Sequence, residues 1–323
     1  MPEIIKIAVV IPAFKVTNQI LSVIERIGPE VNLIIVVDDC CPESSGELVL
    51  ARCKDKRVTV LWHEKNKGVG GAVISGYRFA LENGADVVVK VDGDGQMNPS
   101  LIPTLVAPIL HGQADYAKGN RFFNVQEILQ MPKVRIFGNL VLSFFSKIST
   151  GYWQIFDPNN GFTAINKTVL KNLPLDKISN RYFFETDMLF RLNLARAVVA
   201  DIPMDAVYGN EKSNLSVTSA LFEFPIKHLK NFTKRIAYSY YLRDFTLASL
   251  ELPAGLFLLV GGCISALYNW INSAHLNQAT PTGTLILISM MLLSSIQLLL
   301  SFAAYDMQSS PRKSISQFEQ SKY

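Results

Sequence analysis

The sequence predicts an α/β domain built on a mostly parallel sheet flanked by helices, then an amphipathic interfacial helix and two transmembrane helices. Three observations carry this reading. Apolar, β-rich runs alternate with helical patterns in the N-terminal half. Polar or glycine-rich residues follow each run, and sheets of this kind bind ligands at the carboxyl ends of their strands. From Leu252 to Tyr305 there is no Asp, Glu, Lys or Arg, although the preceding residues carry charge at ordinary density.

Strands are expected at Ile5–Ile11, Leu33–Val37, Val58–Trp62, Val87–Val91 and Asp115–Lys118. Helices are expected near Asn18–Ile27, Gly46–Lys54, Val69–Asn83 and Pro99–Leu110. This domain should occupy residues 1–218. In the juxtamembrane segment 219–250, Ile226, Leu229, Phe232, Ile236 and Tyr240 step by three or four, so they share one helical face opposite lysines and arginines. That is the pattern of a helix lying among lipid headgroups. Residues 251–306 should form a hairpin, because Leu252–Ile271 and Thr284–Tyr305 each supply the roughly 20 apolar residues that a bilayer core requires. Lys227, Lys230, Lys234, Arg235 and Arg243 precede the first span; Arg312, Lys313 and Lys322 lie in the tail, 307–323. The loop between the spans has no cation. Cation bias therefore places the N-terminal domain and both termini in the cytoplasm, with the hairpin in the plasma (inner) membrane.

Composition narrows the class further. Lys plus Arg number 31 against 27 for Asp plus Glu, a net charge of +4 that gives no sign of a nucleic-acid partner. Four cysteines show neither zinc-ligand spacing nor a disulfide framework, so free thiols are expected. The N-terminus reads as a first buried strand rather than a signal peptide.

The stretch "VVVKVDGDGQMNP" (Val87–Pro99) ends an apolar strand with two carboxylates, Asp92 and Asp94, one glycine apart. Like charges in such a place are tolerable if a divalent cation sits between them and a polyphosphate. Carboxylate oxygens suit Mg²⁺ or Mn²⁺, which take substrate phosphates and waters as further ligands. Gln96 can add an amide oxygen, while Gly93 and Gly95 keep the backbone slim. "NKGVGGA" matches neither the phosphate-loop pattern nor the dinucleotide fingerprint.

In this order, "VVIPAFK", "IIVVDDCCPESS", "DGDGQMNP", "GNRF" and "DPNNGFTAINKTVL" resemble the motifs of family 2 glycosyltransferases, more closely the polyprenyl-phosphate hexose synthases such as dolichyl-phosphate mannose synthase. The resemblance runs from about Ile5 to Leu215, and the two-span tail is similar to that of membrane-anchored bacterial members. It implies a GT-A-like fold and a set of roles. Pro12, Phe14, Val37 and Asp39 would line the base and ribose pocket, with Asp39 accepting a hydrogen bond from the base, and Gly68 would belong to the donor side. Asp92, Asp94 and Gln96 would hold the metal and the donor diphosphate. Arg121 and Arg135 would clamp an acceptor phosphate. "GNEKSNLS" (Gly209–Ser216) would close over the site, with Lys212 its one positive charge. The chain departs from its relatives at Cys40-Cys41, Val16, Asn139 and this late loop, which touches nucleotide choice and acceptor grip.

The implied reaction is an inverting, metal-dependent transfer of a hexose from a nucleotide-diphosphate sugar, UDP- or GDP-linked, to a membrane polyprenyl phosphate. A phosphate acceptor is already ionised and requires orientation rather than a base. A sugar-hydroxyl acceptor on a lipid-linked glycan would require one, for which Glu185, Asp187 and Asp157 are the candidates; Glu185 and Asp187 are equally readable as helix-start carboxylates. A third reading is a non-catalytic, membrane-anchored nucleotide-sugar binding module. Two spans are few for shielding a lipid, so self-association into a homo-oligomer is a further expectation.

Overall fold

The computed structural model describes residues 5–123, 133–204 and 217–320. The chain forms two compact units: Met1–Phe232 together with Pro311–Tyr323, and Thr233–Ser310.

In the first unit, β1 (Ile7–Ala13), β2 (Leu33–Asp38), β3 (Val58–Trp62), β4 (Val87–Lys90), β5 (Tyr116–Asn120), β6 (Thr163–Asn166) and β7 (Val199–Pro203) form one sheet, ordered β3-β2-β1-β4-β6-β5-β7. β6 runs antiparallel to both β4 and β5, and every other pairing is parallel. The sheet is thus mostly parallel, as expected. One side of it packs Val9, Ile11, Ile34 and Val36 against α1 (Ile20–Glu25), α2 (Ser45–Arg52) and α4 (Ile102–Leu110). The other packs Ala8, Val10, Ile35 and Val37 against α3 (Gly68–Glu82), together with residues of two later helices. Burial on both faces is why these strands carry no polar alternation.

The remaining helices of this unit are α5 (Lys133–Thr150), α6 (Lys167–Asn172), α7 (Phe184–Leu194) and most of α8 (Val217–Ala237). His228 and Asn231 of α8 are buried, whereas Ile226 and Leu229 are 69% and 63% exposed. The expected apolar face is therefore split: Ile226 and Leu229 are uncovered, whereas Ile236 and Tyr240, which share that face by spacing, are buried. His228 Nδ1 lies 2.8 Å from Ser149 Oγ, and its ring meets Phe183 at 5.0 Å.

Burial pushes the His228 imidazole down from 6.5 to about 4. Between those values the unfolded chain carries a proton that the folded chain does not, so stability falls as pH drops through the window. The expected loss is on the order of 2–3 kcal/mol by pH 4. Melting curves from pH 7 to 4 should show a shallower decline in His228→Asn than in wild type; parallel declines would remove His228 from this role.

The segment after the hairpin returns to the first unit. Asp115, with no exposure, accepts hydrogen bonds from Ser314 Oγ (2.7 Å), Ile315 N (3.0 Å), Ser316 N (3.1 Å) and Val198 N (2.8 Å). Four donors satisfy a carboxylate removed from water and tie α11 (Ile315–Gln320) to the domain.

In the second unit, α9 (Leu247–Leu276) and α10 (Thr282–Gln308) are 30 and 27 residues long, each long and apolar enough to cross a membrane. Only 22% and 17% of their most apolar windows are buried, unlike the core helices of a soluble protein. Gly255 and Gly262 lie against Leu299 and Leu292, the close approach that small residues permit between apolar helices. One expectation is corrected here. Arg235 was counted among the cations available beside the membrane, but it is 2% exposed and forks onto Asp306 at 2.6 and 3.0 Å. Tyr240 Oη donates to the same carboxylate at 2.6 Å. Such a charge is neutralised internally by Asp306.

Candidate active site

The carboxyl ends of β1, β2 and β4 lie side by side in the sheet, and most of the expected donor-side residues stand there. Pro12 pairs in register with Val37. Phe14 is 38% exposed, whereas Val37 is fully buried beneath α3. Val37, expected to line the base and ribose pocket, has no exposure and belongs to the core instead.

Asp39 is 2% exposed, and its carboxylate takes Lys67 N (2.8 Å), Gly68 N (2.8 Å) and the ring of His63 (Nδ1, 2.7 Å). His63 Nε2 in turn lies 2.8 Å from Ser75 Oγ of α3. Asp39 thus braces the glycine-rich entry to α3, and His63 is a part of that brace that sequence reasoning missed. Neighbouring Asp38 holds Gly46 N and Cys41 N, both at 2.7 Å. Gly68 has φ +83°, and a side chain there would meet the Asn180 carbonyl oxygen at 2.6 Å. Its glycine is demanded by backbone approach to the 179–181 loop and by a left-handed conformation.

Asp92 and Asp94 follow β4 as expected and are partly buried. Asp94 Oδ1 accepts Gln96 N at 3.0 Å, closing a turn in which Gly95 has φ +77°. Asp92 Oδ1 lies 2.7 Å from the ammonium of Lys90, a residue only 1% exposed. Glu185, at the start of α7, reaches the same ammonium at 3.3 Å. A lysine inside "VVVKVD" was the available signal for this contact. Asp187 lies elsewhere: its carboxylate takes Ser179 N (2.9 Å) and Asn231 Nδ2 (3.1 Å), joining the 179 loop to α8.

Arg121, just past β5, forks onto Asp157 with Nε–Oδ2 at 2.8 Å and Nη2–Oδ1 at 3.1 Å. Asp157 is 2% exposed; burial alone would raise its pKa, but the Arg121 hydrogen bonds and charge hold it below the usual carboxylate range. Lys118 reaches the carbonyls of Asp157 and Asn160 and fixes the same loop from below, and its burial lowers it to about 8. Arg135 belongs to the first turn of α5, and its side chain lies outside the described residues, as does the whole of Lys212.

Two carboxylates and an amide at the end of β4, an arginine at the end of β5 and a braced glycine loop at the entry to α3 all follow the carboxyl ends of parallel strands, along one edge of the sheet. The model of glycosyl transferase family 2 matches residues 8–173, which include the D-x-D turn, Arg121 and Asp157. The chain belongs to glycosyl transferase family 2. This family 2 glycosyltransferase is 30% identical, over 68% of its length and 92% of the relative, to a UDP-N-acetylglucosamine–dolichyl-phosphate N-acetylglucosaminyltransferase of Methanococcus voltae. It is 31% identical, over 54% of its length and 71% of the relative, to an undecaprenyl-phosphate mannosyltransferase of Micrococcus luteus. Its fold is similar to that of glucosyl-3-phosphoglycerate synthase of Mycobacterium tuberculosis, solved with Mn²⁺, uridine diphosphate and glucosyl-3-phosphoglycerate. The TM-score is 0.51 at 20% identity, over 71% of this chain and 79% of that one. The GT-A-like sheet and the glycosyltransferase class expected from the motifs both stand.

Proposed function

We propose that this glycosyltransferase moves a hexose from a UDP- or GDP-linked sugar to a membrane polyprenyl phosphate, with inversion and with a divalent metal. The acceptor reading is supported by one observation above the rest. Each carboxylate that could serve as base for a hydroxyl acceptor is already engaged: Asp157 by Arg121, Glu185 by Lys90, and Asp187 by Asn231 and Ser179 N. A phosphate acceptor requires no such base, and the names of the relatives agree with it.

The donor set fits a hard cation. Asp92, Asp94 and Gln96 offer oxygen ligands at a strand end, and no cluster of three His, Cys, Asp or Glu side chains exists among the described residues. The protein thus supplies a partial shell, which suits Mg²⁺ or Mn²⁺ completed by diphosphate oxygens and water. Bound there, the cation would supply Lewis-acid stabilisation of the departing diphosphate. The chain's own residues position the rest. Pro12 and Phe14 flank the base and ribose, the loop braced by Asp39 and containing Gly68 supports them, and Arg121 with Arg135 orients the acceptor phosphate. Lys212 supplies charge from the late loop. α9 and α10 anchor the enzyme in the inner membrane with the catalytic domain cytoplasmic, and the exposed Ile226 and Leu229 favour an interfacial position for α8. Two spans favour a homo-oligomer for sheltering the lipid.

The test uses full-length enzyme in detergent with labelled UDP- and GDP-sugars, offered either polyprenyl phosphate or a lipid-linked saccharide. The expected product forms on polyprenyl phosphate and releases its sugar in mild acid. Transfer confined to the saccharide, with an acid-stable product, would overturn the acceptor assignment.

A further inference from the structure

The last residue of β4 is a lysine in a strand that is otherwise valine. Lys90 is 1% exposed, and its ammonium touches two carboxylates from different elements, Asp92 Oδ1 at 2.7 Å and Glu185 Oε1 at 3.3 Å. The backbone of the 157–162 loop closes this contact from above. A side chain at Gly161 would collide with Lys90 Nζ and Asp92 Oδ2. The ammonium is therefore built in, with no room for it to swing aside into that loop.

Its position has a consequence for the D-x-D turn. An ammonium in ionic contact with one carboxylate competes for that oxygen and repels an incoming dication, in surroundings where charges are only weakly screened. A nucleotide diphosphate brings several negative charges and reverses the balance. We propose that Lys90, clamped by Glu185, is a resident counter-cation and positioning residue of the donor site, which holds Asp92 until the donor arrives, so that the metal enters together with the nucleotide diphosphate rather than ahead of it. This rests on the reading of Asp92 and Asp94 as metal ligands. It assigns Glu185 to the clamp on Lys90 rather than to proton transfer.

The experiment measures Mn²⁺ binding by electron paramagnetic resonance on the full-length protein in detergent, without nucleotide and with UDP or GDP. The informative variant is the double change Lys90→Met with Glu185→Gln. Lys90, Asp92 and Glu185 together carry one negative charge, and the double variant leaves Asp92 with that same charge, so a change in Mn²⁺ affinity reports release of Asp92 rather than a new net charge. Replacing a buried ion pair by neutral groups is also compatible with folding. Wild type should bind Mn²⁺ at least about tenfold more tightly with nucleotide than without, and the double variant should bind it without nucleotide about tenfold more tightly than wild type does. Lys90→Gln with Glu185→Gln, which keeps a hydrogen-bond donor and the same net charge, should move the same way and serves if the first double variant does not fold.

Nucleotide-free affinity in these variants at or below the wild-type level would overturn the role of Lys90, provided that wild type still takes up Mn²⁺ with nucleotide through Asp94. Absence of Mn²⁺ uptake by wild type even with UDP and GDP would instead overturn the metal site itself, and this inference with it.

Discussion

Replacing Asp94 by alanine should abolish metal-dependent stabilisation by nucleotide diphosphates and lower sugar transfer by roughly a thousandfold, about 4 kcal/mol of transition-state stabilisation. The apo fold should survive. Asp94 is partly exposed and closes a local turn through Gln96 N, so the change creates no buried, uncompensated charge. Thermal shift with UDP or GDP, with and without Mn²⁺, separates the two effects. Wild type should gain melting temperature only when nucleotide and metal are both present, and the variant in neither case. Equal stabilisation of wild type and variant would place the diphosphate away from the D-x-D turn.

The second large effect belongs to Arg121. Its guanidinium forks onto Asp157, a carboxylate that is 2% exposed. Arg121→Met should cost about 3–5 kcal/mol, because it strands that carboxylate in the interior. The double variant Arg121→Met/Asp157→Asn should recover most of the stability, since neither charge then remains. It should not recover acceptor binding: KM for polyprenyl phosphate should rise at least about tenfold, the loss of a guanidinium contact to phosphate. The pH dependence follows from the depressed pKa of Asp157. An unfolded carboxylate titrates near 3.8 and the folded one lower, so the pair's contribution is complete above 3.8 and is lost as pH falls through the folded value. Below about pH 4 the wild type should therefore lose stability faster than the double variant. An Arg121→Met protein that melts like wild type would show that the pair is not a structural brace, and wild-type acceptor kinetics in the double variant would remove Arg121 from the acceptor site.

Much of this site could be read from residue order. The Val- and Ile-rich runs located β1 to β4, and the polar chemistry after each run pointed to their carboxyl edge, because a parallel sheet brings successive strand ends together. The D-x-D turn was legible as two carboxylates that require a counter-charge. What could not be read is which groups meet across long separations. Lys90 and Glu185 are 95 positions apart, and Arg121 and Asp157 are 36 apart. Asp39 looked like a ligand-facing acid and proves to brace Lys67 N, Gly68 N and His63. β6 escaped notice because four residues, "TAIN", are too few to show a period.

The hairpin was the clearest feature of all, since an uncharged stretch long enough to span a bilayer has few other uses. Its polar ends were less legible. Arg235 reads as one of the cations before the first span and Asp306 as the last residue of the hairpin, yet they pair within the second unit, while Ser314 to Ser316 fold back onto Asp115 in the first.

The sequence by itself determined the sheet, the anchor and the presence of paired acids at a strand end, because local period and composition follow directly from which faces must leave water. Only the tertiary structure decided which charge neutralises which, because an ion pair depends on distances of a few ångströms between segments that the chain order leaves far apart.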